Sequence, residues 1–221
     1  FSNISIGAYA LQENTTAYSN VAIGYQCMQD GNTSTGNVAM GYQAMKANTT
    51  GGTSVAIGYQ ALLAQTTGMY NVAVGDRTLA TVTTASSNTA LGTQALRYNT
   101  TGAENTAVGT FALDANTTGD ENTAIGKSAL GNNTTGEFNT AVGKSALQAN
   151  VTGTKNTAIG ANALTANTGS NNTSVGYHSL VTNTTGTNNV CVGRTGLYSN
   201  TTGSYNTAVG KDALYANTTA N

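Results

Sequence analysis

Thirteen glycines set a register along this 221-residue chain, at Gly7, Gly24, Gly41, Gly58, Gly75, Gly92, Gly109, Gly126, Gly143, Gly160, Gly176, Gly193 and Gly210. Every interval is seventeen residues except Gly160 to Gly176, which is sixteen. A period this constant means one small structural unit copied and stacked, so each copy contacts only its neighbours and function lies on an elongated surface. Composition does not shift along the chain, and residues 1–221 read as a single repeat array.

The columns of the repeat show strand logic. The fourth residue before the glycine is Asn in twelve of thirteen copies, with Ser54 the exception. The third before is β-branched (Val55, Thr106, Thr157), the second before is small (Ala107, Ser174, Cys191), and the last is apolar (Met40, Leu91, Ile125). Large and small side chains alternate with period two. Three residues after the glycine a small residue recurs (Ala112, Ala129), followed by Leu or Met in all thirteen copies. The phrase Asn-Thr-Thr-Gly, as at 116–119, closes the unit and reads as a turn whose glycine supplies positive φ.

Seventeen residues are too few for ankyrin-type or tetratricopeptide repeats, which need about 33 or more. The chain contains no proline, which would interrupt a ladder between coils. The expected fold is all-β: a parallel β-solenoid or β-roll of about thirteen 17-residue coils, on the order of 60 Å long at ~4.8 Å per coil. The large columns are expected to fill the coil. The Asn and Ala columns, on the opposite face, are then expected to let a neighbouring chain approach closely, making a homotrimer or another self-assembly.

Charged residues make up only 8% of the chain and the net charge is −1, which supplies no field for nucleic acid or an anionic membrane. Apolar runs are only a few residues long, and no membrane insertion is expected of this segment. No charged-then-apolar leader opens the chain, and the array reads as the ordered part of a longer fibre protein. Cys27 and Cys191 lie nearly ten repeats apart and occupy small-residue columns, so no disulfide joins them. His178 sits in a variable column, and the acidic pair Asp120–Glu121 reads as a polar loop. No metal, cofactor or catalytic constellation is read from these residues, and the chain is not expected to be an enzyme.

Two columns are candidate sites. Tyr25, Tyr42 and Tyr59 follow successive register glycines and are joined later by Tyr177; stacked outward, they would form an aromatic ladder. Such a ladder would bind a cell-surface glycan, a receptor or a second fibre, or would only stabilise the stack. The turn phrase also creates glycosylation sequons at Asn14, Asn48, Asn99, Asn116, Asn133, Asn183, Asn200 and Asn217. The alternative there is that Asn and Thr simply satisfy a tight turn.

The phrase Asn-Thr-Ala-Val-Gly at 105–109, repeated as Asn-Thr-Ala-Ile-Gly at 122–126 and 156–160, resembles the head repeats of trimeric autotransporter adhesins of the YadA kind. The longer form, with Ala-Leu and Asn-Thr-Thr-Gly as at 112–119, is similar to repeat regions of phage tail-fibre-like proteins. The resemblance covers all thirteen repeats and departs from the adhesin head in the greater length of each. It implies a shaft or head segment of an extracellular homotrimeric fibre, on a virion or a cell surface, that spaces or displays an adhesive tip. Two other readings stand beside it: a self-polymerising surface filament, and an ice-binding β-solenoid. The second needs two threonine columns on one flat exposed face, whereas the Thr column at 106, 123 and 140 alternates with valine elsewhere, as a core column would.

Overall fold

A computed structural model describes residues 2–31 and 33–221. Thirteen three-residue strands follow one another: β1 Ile4–Ile6, β2 Val21–Ile23, β3 Val38–Met40, β4 Val55–Ile57, β5 Val72–Val74, β6 Thr89–Leu91, β7 Thr106–Val108, β8 Thr123–Ile125, β9 Thr140–Val142, β10 Thr157–Ile159, β11 Thr173–Val175, β12 Val190–Val192 and β13 Thr207–Val209. They form one parallel sheet in strict chain order, and no helix occurs among the described residues. Each strand meets its equivalent one repeat on, as in Thr106↔Thr123, Ala107↔Ala124 and Val108↔Ile125. The chain is a parallel β-solenoid whose thirteen strands are linked by twelve turns of the coil.

The faces of the sheet are the reverse of the sequence expectation. The central Ala of each strand points inward and is fully buried from Ala22 to Ala158, as is the Asn preceding the strand from Asn20 to Asn189. The β-branched and aliphatic columns point outward, with Ile125 40% and Leu91 48% exposed. A coil this thin has room for one large side chain per turn, and the Leu or Met four residues after the glycine takes it. That anchor packs with the two small columns into one continuous core running along the rod. The small columns are therefore interior, and the large outer columns are the surface available to a neighbour.

The small columns also compensate each other across the coil. A Cβ at Gly196 would run into the Cys191 sulfur, so the larger residue in the strand is matched by a glycine in the opposite wall. Most other coils pair Ala with Ala, as at Ala107 and Ala112, while Ser174 faces Ser179 and shares a hydrogen bond with it.

Two ladders of buried asparagine replace much of the apolar filling. In the first, preceding the strands, the Asn122 backbone N–H donates to Asn105 Oδ1 at 2.9 Å, and the Asn122 side-chain amide donates to the carbonyls of Gly136 at 2.8 Å and Asp120 at 3.0 Å. Asn122 Oδ1 in turn accepts the Asn139 backbone N–H at 3.0 Å. This pattern runs from Asn3 to Asn206, and Ser54 maintains it by accepting the Asn71 N–H through its hydroxyl at 3.1 Å. The second ladder lies in the turns: Asn116 Nδ2 donates to Asn99 Oδ1 at 2.8 Å and to the Gly119 carbonyl at 2.9 Å. Buried amides satisfied this way hold neighbouring coils together and avoid the cost of an unpaired polar group.

The half of the coil after the glycine is a string of turns. The Ala112 N–H closes a turn on the Gly109 carbonyl at 3.2 Å, and the Asn116 N–H closes a second on the Leu113 carbonyl at 3.2 Å. Phe111 and Leu113 take φ of 57° and 52°, and equivalent residues do so in coil after coil. A left-handed leucine is costly locally, by about 1–2 kcal/mol. It is held there because its N–H bonds to the Ala129 carbonyl of the next coil at 3.0 Å and its side chain is buried.

Positive φ falls on the register glycines, from 121° to 144°, and not on the glycine of Asn-Thr-Thr-Gly as the sequence suggested. The turn glycine is small for a different reason: a Cβ on Gly119 would meet the Gly136 carbonyl oxygen of the next coil and Asn116 Oδ1 of its own. The single shortened repeat is absorbed in this turn. Asn167 bonds to the Gly169 carbonyl at 2.8 Å across two residues instead of three, while Thr157 and Thr173 keep the strand register.

Candidate functional site: the outer columns

Within each coil the third and first residues before the glycine are solvent-facing strand columns, because alternate residues of a strand point to the same side, and the fifth residue before the glycine and the first after it flank them. In coil 8 these are Glu121, Thr123, Ile125 and Lys127, of which Thr123 is half-buried and the others exposed. The two middle columns make a β-branched and aliphatic strip along all thirteen strands, and the outer two are its edges. No cavity opens among the described residues, and this strip runs the length of the rod.

The tyrosine column lies on one edge of that strip. Tyr25 and Tyr42 stack with ring centres 5.4 Å apart and planes within 13°; Tyr42 and Tyr59 stack at 5.2 Å and 6°. Tyr9 packs edge-on against Tyr25 at 5.7 Å, and the Arg77 guanidinium covers Tyr59 at 5.5 Å. The ring faces are thus turned toward one another and capped at both ends, leaving ring edges and hydroxyls outward. A sugar that stacks on an aromatic face finds none free inside this column. Beside it a glutamine ladder joins Gln26, Gln43 and Gln60 through side-chain bonds of 2.7 and 2.9 Å. Tyr177 is not brought to the other three; it stacks on His178 at 4.0 Å, and His178 shares a 3.0 Å hydrogen bond with Asn162. A second stack, Tyr198 on Tyr215 at 4.9 Å, was not singled out in the sequence, although the two residues are one repeat apart in the same column.

The sequon asparagines face the wrong way for a glycan. Asn48, Asn99, Asn116, Asn133, Asn183 and Asn200 are fully buried, and the amide nitrogen of each donates to the carbonyl of the glycine closing its own turn. Asn14 and Asn217, in the first and last coils, are half-buried in the same column. A sugar on Nδ2 would occupy the interior of the coil, so glycosylation and this fold exclude each other at the six buried positions. The turn-satisfying role describes their geometry.

The remaining reactive groups sit apart. Cys27 and Cys191 are buried and unpaired; burial pushes the Cys27 thiol up to about 11, partly opposed by a hydrogen bond from the Ile23 backbone N–H. Burial also raises the Cys191 thiol, against a hydrogen bond from Ser179. Asp120 uses its carboxylate to accept the Ala103 N–H of the preceding coil at 2.7 Å. No cluster of three or more His, Cys, Asp or Glu suited to a metal occurs among the described residues. No family model, curated protein or solved structure matches the chain.

Proposed function

We propose that this array is the structural shaft or head segment of an extracellular fibre, which self-associates as a homotrimer and spaces or displays an adhesive tip. The observation that carries the reading is the exposed Val/Thr and Ile/Val strip on a continuous thirteen-strand sheet. With its edges the strip covers roughly 20 Å by 60 Å, or about 1,200 Å², from strand rise and strand spacing. Stable complexes bury about 800 Å² per partner, so the face is large enough to hold copies of the chain together. The aliphatic column at its centre, left facing water along the whole rod of a sparsely charged protein, is otherwise a liability. The backbone ladders, buried amides and repeated leucine anchors give the stiffness that a spacer needs.

Solution mass tests it. The purified chain is expected at three times its 22.3 kDa mass, and Val108→Asp with Ile125→Asp is expected to release folded monomers. A wild-type chain that stays monomeric at micromolar concentration removes the reading.

One observation favours a second reading. The threonine column is not in the core: Thr89, Thr106, Thr123, Thr140, Thr157 and Thr173 all lie on the outer face of successive strands. A regular hydroxyl-bearing strip of this kind is what ordering of an ice-like water layer would use. The two readings claim the same face, so a monomer with thermal hysteresis supports ice binding, and a trimer without it ends that reading.

A further inference from the structure

The two edges of the apolar strip differ in character, and their difference specifies how copies of the chain meet. On the edge five residues before the glycine, coils 7 and 8 carry Glu104 and Glu121; on the opposite edge, coils 8 and 9 carry Lys127 and Lys144. All four side chains are exposed. None makes an ion pair within the chain, where Lys211–Asp212 is the one such pair among the described residues. Like charges are instead stacked on successive coils, about 4.8 Å apart along each edge. That is an unfavourable arrangement for a lone rod and a favourable one for an edge that meets its opposite.

We propose that copies of this chain associate parallel and in register, with the Glu104/Glu121 edge of one against the Lys127/Lys144 edge of the next. The proposal rests on the self-association reading above and names the contacts that fix its polarity. Any symmetry axis along the rod brings the edge before the strand to the edge after it at the same coil level, which places Glu121 by Lys127. A two-fold axis across the rod does the opposite: it brings each edge onto itself and sets Glu104 against its own copy.

Size gives the same answer independently. At the level of coils 2 to 4, parallel docking sets the small Ser19, Gly36 and Thr53 opposite the large Tyr25, Tyr42 and Tyr59. At coil 10 it sets Lys155 opposite Ala161, and at coil 9 Phe138 opposite Lys144, a cation facing an aromatic ring.

The test is a charge swap read by sedimentation velocity at low ionic strength, with circular dichroism confirming the fold. The pair K127E/K144E makes both edges acidic and is expected to weaken association about tenfold or more, an effect that shrinks as salt is added. Adding E104K/E121K exchanges the two edges completely, and this quadruple variant is expected to return to within about threefold of wild type. An assembled wild type that is indifferent to K127E/K144E, or a quadruple variant no better than the pair, overturns the proposal while leaving self-association intact. A monomeric wild type removes both.

Discussion

Gly109→Ala is expected to destabilise the rod by more than about 3 kcal/mol, whereas Gly119→Ala, ten residues later in the same coil, is expected to cost less, about 1–3 kcal/mol. Gly109 holds φ at 130°, a backbone region that residues with a Cβ rarely adopt, and an added Cβ would sit 2.8 Å from the carbonyl carbon and oxygen of Gly126. Strain of about 1–3 kcal/mol then adds to an overlap with backbone that cannot swing away. Gly119 has no such φ; its added Cβ would also meet backbone, at the Gly136 carbonyl oxygen, but the same column accommodates alanine elsewhere in this chain, so a small shift of the turn can relieve the overlap. Ala17 is fully buried at the equivalent position and keeps its turn, with its N–H donating to Asn14 Oδ1 at 2.9 Å. Urea unfolding of the two variants checks the difference; equal losses would mean that the register glycines are kept for packing space alone.

The second large effect is expected from the first asparagine ladder. Asn122→Ala leaves the buried Asn139 N–H without its acceptor and removes one of the two side-chain amides on the Gly136 carbonyl, which keeps the Asn133 amide. At about 1–3 kcal/mol for the one orphaned buried donor, with the space left by the amide added, the loss should be about 2–4 kcal/mol. Asn122→Ser should cost less than half of that, because Ser54 shows that a hydroxyl can accept the next coil's N–H at this site. Equilibrium denaturation gives the comparison. If alanine and serine prove equally harmful, the ladder's hydrogen bonds are not what stabilises the coil.

The period, the strands, the parallel stacking and the leucine anchor were legible in the sequence because each repeats in every copy. Which face of the strand points inward was not. Alternation in Asn-Thr-Ala-Val-Gly says only that two sets of residues face opposite ways. The usual rule that large apolar side chains go inside fails because the coil is only as thick as one leucine. Ala107 fits against Ala112 in that space, and Val108 does not. The left-handed Phe111 and Leu113 were equally hidden, since neither residue type signals positive φ and the conformation is imposed by bonds to adjacent coils.

The candidate sites divide along the same line. That Tyr25, Tyr42 and Tyr59 form an outward column could be read from their spacing, but the capping of their ring faces by Tyr9 and Arg77 comes from side chains in other columns. The Asn-Thr-Thr motif is ambiguous as text because a sequon and a buried amide ladder use the same residue types. The hydrogen bonds of Asn116 separate them. The edge charges are invisible until the strip between them is known to face outward.

The uninterrupted ladder from Asn3 to Asn206 also bears on how such a gene can change. Every coil presents nearly the same donors and acceptors above and below, so deleting or duplicating a whole repeat rejoins matching surfaces. A one-residue cut within a strand would instead turn the residues beyond it to the opposite face. Recombination between repeats can therefore lengthen or shorten the rod in steps of about 4.8 Å, with little penalty to folding.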